Sequence, residues 1–129
     1  MSIQNSEIKI LIIDEEYSIR KSLQYYLLDF EYNVEGVESG EEGLELLKEK
    51  KFDIIIVDLR LNGISGETFI YESFLKYKNI IYIIYTGSIN YELPRDLAKE
   101  KDKRIYLIYK PVDDMTVFID LINKIMKNT

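Results

Sequence analysis

The stretch Ile54-Ile55-Ile56-Val57 restricts the fold more than any other. Four branched apolar residues in succession leave no polar face. The segment therefore reads as a strand buried on both sides, the place of a central strand in a parallel sheet. The run stops at the carboxylate of Asp58 and passes into Leu59-Arg60-Leu61-Asn62-Gly63, a loop pattern. In an open α/β sheet the functional crevice lies beyond the carboxyl ends of the strands. Asp58 is thus placed for chemistry.

The rest of the chain repeats the same unit. Residues 8–13 form a second mainly apolar run, ending in Asp14-Glu15-Glu16, an acidic triplet that also suits a helix start. Ile19, Leu23 and Leu27 recur at helical spacing over residues 17–28, and a short strand is expected over 32–37. Ser39-Gly40-Glu41-Glu42 is a capping-box pattern, with the Ser39 hydroxyl and Glu42 carboxylate exchanging hydrogen bonds with backbone amides. It predicts a helix through Leu44, Leu47 and Lys48 that closes at Lys50-Lys51. Phe52-Asp53 then leads into the central strand, with Asp53 structural.

Gly63 and Gly66 punctuate the loop after Asp58, and a helix carrying Phe69, Ile70 and Phe74 runs to about Tyr77. Residues 80–85 predict a buried strand ending at Thr86-Gly87-Ser88, and Pro94 suits the first turn of a short helix over 94–101. Residues 105–109 predict the last strand, ending in Lys110-Pro111. Asp113 or Asp114 can cap a final helix carrying Phe118, Ile119, Ile122 and Ile125. Five β-α units call for a doubly wound parallel sheet. Right-handed crossovers bring every strand's carboxyl end to one edge.

Composition narrows the chemistry. At 129 residues, 47% apolar and 31% charged, the chain reads as one soluble globular domain. No apolar run approaches the roughly 20 residues that span a bilayer. Met1-Ser2-Ile3-Gln4-Asn5 lacks the flank and core of a signal peptide, so a cytoplasmic protein is expected. A net charge of −6 argues against direct nucleic-acid binding without forbidding a local basic patch. Cysteine and histidine are both absent, which removes disulfides, thiol and Ser-His-Asp catalysis, zinc sites of the usual kind and a phosphohistidine carrier. There is no GxxxxGK[ST] and no GxGxxG after the first strand. A flavin phosphate would meet the repelling Asp14-Glu15-Glu16. The 11 tyrosines read as amphipathic packing, and residues 99–104 as a solvated mixed-charge segment.

Carboxylate, hydroxyl and lysine chemistry remain, and the strand ends hold all three. Strand one ends in Asp14-Glu15, strand three in Asp58, strand four in Thr86 and strand five in Lys110. Three clustered carboxylates repel and call for a cation. Oxygen ligands without His or Cys point to Mg²⁺. Asp58 can then stay ionised and attack a phosphoryl group, with the metal, Lys110 and Thr86 holding the phosphoryl oxygens.

These motifs resemble the receiver domain of two-component response regulators, of the chemotaxis-regulator type. The resemblance runs from Ile8 to about Lys127. It rests on Ile10-Leu11-Ile12-Ile13-Asp14-Glu15-Glu16, Ser39-Gly40-Glu41-Glu42-Gly43-Leu44, Phe52 through Asp58, Gly63-Ile64-Ser65-Gly66, Thr86-Gly87 and Lys110-Pro111. It implies a flavodoxin-like sheet of order 2-1-3-4-5 with five helices, forming a single domain over 1–129 with no output domain. Asp58 would take phosphate from a histidine kinase or phosphotransfer protein. Asp14, Glu15, Asp58 and the main-chain carbonyl of Arg60 would hold Mg²⁺. Thr86 would be the switch hydroxyl, Lys110 would pair with the phosphoryl charge, and the peptide bond before Pro111 would be cis.

The resemblance further implies a phosphoacceptor rather than an enzyme with a separate substrate. The chain would be a monomer or weak dimer acting on an output protein through its strand-four to strand-five face. Three positions depart from the family pattern: Glu15 stands in place of aspartate, Asn62 in place of the common proline, and Leu107 in place of the aromatic switch. Alternation puts Tyr106 on the face opposite Leu107. These departures motivate a rival reading, a pseudo-receiver that binds partners without phosphorylation. A small-molecule phosphotransferase would need a substrate pocket for which short loops leave little material.

Overall fold

Branched residues at successive positions favour extended backbone, and here they dominate the inner strands of one sheet. The computed structural model describes residues 3–128; Thr129 and the first two residues of the Met1–Asn5 stretch lie outside the described residues. After a short 3₁₀ turn at Asn5–Glu7, five strands and five helices alternate. The strands are β1 (Lys9–Ile13), β2 (Asn33–Val37), β3 (Ile54–Val57), β4 (Ile81–Thr86) and β5 (Ile105–Tyr109). The helices are α1 (Tyr17–Asp29), α2 (Gly40–Glu49), α3 (Gly66–Phe74), α4 (Arg95–Ala98) and α5 (Thr116–Lys127). All neighbouring strands pair in parallel in the order β2-β1-β3-β4-β5, the doubly wound flavodoxin-like arrangement. β3 sits at the centre with all four residues buried.

The sheet is covered on both faces. Leu23 and Leu27 of α1 and Phe118, Ile122 and Ile125 of α5 pack with Ile10, Ile12, Ile54, Ile56 and Ile83. Leu47 of α2, Phe69 and Ile70 of α3 and Leu97 of α4 pack with Leu11, Ile13, Ile55, Val57 and Ile84. Tyr106 joins the first cluster and Leu107 the second, as strand alternation requires. Asp53 is structural: its Oδ2 accepts the Lys9 amide at 2.8 Å, tying the entry of β3 to β1.

Several local details differ from the sequence-based expectation. The α2 cap is half of a capping box. The Ser39 hydroxyl accepts the Glu42 amide, while the Glu42 carboxylate accepts the Ser39 hydroxyl rather than its amide. Of the two acids before α5, Asp114 makes the capping contact, accepting the Thr116 amide at 2.9 Å. The largest difference is α4, four residues long where eight were expected. After Ala98 the chain reverses, with Asp102 at φ 60° and its amide bonded to the Ile105 carbonyl.

Arg104 closes that reversal and is not solvated. Its guanidinium lies 3.8 Å from the centre of the Phe74 ring. It donates to the carbonyls of Phe74, Tyr77 and Ile80 at 3.0–3.2 Å. Carbonyls at a helix's end lack partners within the helix, and the arginine fork supplies them. No described helix is long and apolar enough to cross a membrane.

Candidate functional site

Each aspartate of the site leaves its strand through the same local device. Asp14 Oδ1 accepts the amide of Glu16 at 2.9 Å, and Asp58 Oδ1 accepts the amide of Arg60 at 3.3 Å. An aspartate bonding the amide two residues on closes a turn and fixes its own rotamer. The second oxygen of each is then free to face the crevice. Lys110 Nζ meets both, at 2.8 Å from Asp14 Oδ2 and 2.9 Å from Asp58 Oδ2. Asp14 and Asp58 are 2% and 6% exposed, so the lysine neutralises charge that water reaches poorly. Burial alone would lower the Lys110 pKa, but hydrogen bonds and charge from Asp14 and Asp58 hold it above the ordinary value.

Cross-strand bonds carry these residues to one rim. The Asp14 amide donates to Val37, the Asp58 amide to Ile13, and the Lys110 amide to Thr86. Thr86 is fully buried, and its hydroxyl accepts the Ser88 amide at 3.2 Å. The Lys110–Pro111 peptide bond is cis. Arg60 is exposed and reaches the site through its backbone.

The carboxylates that converge are not the trio expected. Oxygens of Asp14, Glu16 and Asp58 lie within 4.8 Å of one another, and Glu15 is not among them. The turn explains the exchange. Bonding the Glu16 amide to Asp14 Oδ1 brings residue 16 back toward the crevice and leaves residue 15 at the apex. Oxygen-only donors at this spacing suit a hard cation such as Mg²⁺.

Further residues shape the site: Gly66, which the sequence marks only as loop punctuation, and Arg20 and Tyr85, to which it assigns no role. Gly66 opens α3, and a Cβ there would stand 2.1 Å from the Asp58 carbonyl oxygen, so only glycine permits this approach. Arg20 is buried in α1 and donates to the Asp14 carbonyl at 2.7 Å. It shares a helical stripe with Leu23 and Leu27, and a charge on an apolar stripe was its available signal. Tyr85, one residue before Thr86, lies against Lys110, with the ammonium 5.3 Å from the ring centre. Glu41 of α2 also reaches across to accept the Ile64 amide at 3.1 Å, bracing the loop that carries Asn62.

A recess of about 510 Å³ lies at the opposite edge of the sheet, among Lys48, Lys51, Lys76 and Lys78. Lysines in the last turn of α2 and just after α2 and α3 complement the negative helix ends, with Glu49 and Asp53 among them.

A doubly wound sheet thus places two buried aspartates, bridged by a strand-end lysine, beside a buried strand-end threonine, and this arrangement defines a class of carboxylate-centred domains. The family model of the response regulator receiver domain matches residues 10–123. The chain belongs to that family, whose relatives serve two-component systems. It is 37% identical over 65 residues to a probable transcriptional regulator, ycf29, of Cyanophora paradoxa, covering 50% of this chain and 31% of that one. It is 36% identical over 63 residues to the transcriptional regulatory protein ResD of Bacillus subtilis, covering 49% and 26%. The chain thus matches less than a third of the length of these curated relatives. Among solved structures it resembles the response regulator TrrA of Thermotoga maritima in complex with Mg(2+)-BeF, with a TM-score of 0.79, 25% identity and coverage of 92% and 98%. Nothing in the site separates the chemotaxis-regulator type from other receivers.

Proposed function

We propose that this receiver takes a phosphoryl group on Asp58 from the phosphohistidine of a sensor histidine kinase or phosphotransfer protein. The observation that carries the reading is the Lys110 ammonium held between Asp14 and Asp58, at 2.8 and 2.9 Å. A carboxylate oxygen of Asp58 attacks phosphorus, the P–N bond to the donor imidazole breaks, and the imidazole leaves as it takes up a proton. Lys110 then follows the new charge onto the phosphoryl oxygens. The buried Thr86 hydroxyl, which accepts from Ser88, keeps its own proton to donate to them.

Asp14 and Asp58, with the Arg60 main-chain carbonyl, would hold Mg²⁺. Glu16 is the third carboxylate within reach, in place of Glu15. A bound Mg²⁺ neutralises charge shared between these carboxylates and the phosphoryl oxygens. The chain acts as a phosphoacceptor and not as an enzyme on a separate substrate, and an output protein reads its β4–β5 side. A cytoplasmic location belongs to the same proposal, in keeping with a chain free of cysteine.

Intact-mass spectrometry after incubation with phosphoramidate tests this. The expected result is a gain of one phosphoryl mass that needs Mg²⁺ and is absent in Asp58→Asn. No gain in the parent, with Mg²⁺ binding also absent, would support the phosphorylation-independent pseudo-receiver instead.

A further inference from the structure

An aromatic ring stands against the site lysine: Tyr85, on the α1 and α5 face, while position 107 on the other face is leucine. Tyr85 is 7% exposed and meets Phe118 of α5 edge-on, with ring centres 4.9 Å apart and planes at 87°. The Lys110 ammonium stands over the same ring at 5.3 Å. Lysine is a point charge on a flexible four-carbon stem, so two carboxylates on one side do not by themselves fix where it sits. A ring face attracts an ammonium and closes the open side.

We propose that Tyr85 is a positioning residue for Lys110: its ring seats the ammonium between Asp14 and Asp58, and its contact with Phe118 ties that seat to α5. The kinetic part rests on the phosphoacceptor reading above; the seating itself does not. The ring, and not the hydroxyl, does the positioning, so phenylalanine serves in its place. A cavity of about 190 Å³, lined by Ser18, Ile19, Ser22, Leu23 and Met115, borders Tyr85 on the α1 side. The ring's place rests on Phe118, on Lys110 and on a contact of its hydroxyl with the Val112 backbone.

The test uses the full chain as parent, Tyr85→Phe, Tyr85→Leu and Tyr85→Met, whose long flexible side chain fills more of the space than leucine's. Carbon-proton NMR of the Lys110 ε-methylene reads the seating without any phosphodonor. An upfield ring-current shift is expected in the parent and Tyr85→Phe and its loss in the Leu and Met variants. With phosphoramidate and Mg²⁺, phosphorylation of the Leu and Met variants should slow by roughly tenfold, with Tyr85→Phe within about twofold of the parent and Mg²⁺ affinity unchanged. An unshifted ε-methylene in the parent overturns the proposal whether or not the variants fold. Phosphorylation rates of folded Leu and Met variants equal to the parent's also overturn it. A parent that shows the ring-current shift but takes no phosphate leaves the seating standing and sinks the phosphoacceptor reading alone.

Discussion

The two halves of the sheet hold their functional residues by different means. At the ends of β1 and β3 the aspartates are fixed by their own sequence neighbours, each bonding the amide two residues on. On the β4–β5 side Thr86 repeats that local turn with the Ser88 amide, but Lys110 and the surface beside it are held from afar. Tyr91 donates to Glu67 at 2.6 Å and Tyr71 to Asp96 at 2.7 Å, pinning the α4 region onto α3. Arg104 is drawn under α3, and Tyr85 leans on Phe118. A site built from local turns persists while the surface beside it is rebuilt.

Lys110 joins the halves, so removing it should have the largest effect. Lys110→Ala leaves buried carboxylates without a counter-charge and should cost about 2 kcal/mol in metal-free buffer, below the value for a fully enclosed pair because the rim is open. Urea unfolding measures this, and Mg²⁺ should restore part of the loss. A loss that Mg²⁺ leaves unchanged would mean that the crevice does not share its charge with an ion.

This division also explains what the sequence reveals. Asp14, Asp58, Thr86 and Lys110 are legible because strand ends in a doubly wound sheet must meet at one edge. Glu16 was hidden because the turn at Asp14 decides which of two adjacent glutamates returns to the site. Gly66 read as punctuation, since its need appears only with the Asp58 carbonyl at its back. The inward turn of Arg104 depends on contacts some 24 to 30 residues away in sequence, where local propensity has no say.

The acidic half can be sharpened by removing a charge. Asp58→Asn takes one negative charge from a cluster of three carboxylates and one lysine. It should raise stability without metal by about 1 kcal/mol, read as a higher melting temperature. A variant that melts at or below the parent would show that the lysine already balances the cluster.

The smallest effect belongs to the β4–β5 half. Tyr91→Phe should lower the melting temperature by about 2 °C, and its contacts give a pH signature. Burial, reinforced by Glu67, pushes the Tyr91 pKa up; the Asp96 hydrogen bond pushes Tyr71 to about 12, and burial pushes Tyr82 to about 12. A raised folded value gives stability that is complete below the unfolded value near 10 and lost as pH climbs through the folded values. Ultraviolet titration of phenolate should show a group of tyrosines ionising only with unfolding. Ionisation of all of them near 10 in the folded protein would remove the latches from the account.

The most direct measurement is the amide NMR spectrum of the parent with Mg²⁺ and beryllofluoride, a stand-in for the phosphoryl group, beside Asp58→Asn. The account predicts Mg²⁺-dependent shifts at Asp58, Thr86 and Lys110 that continue through Tyr85 to Phe118 and vanish in the variant. A parent spectrum unmoved by both additions, or moved equally in Asp58→Asn, would contradict it.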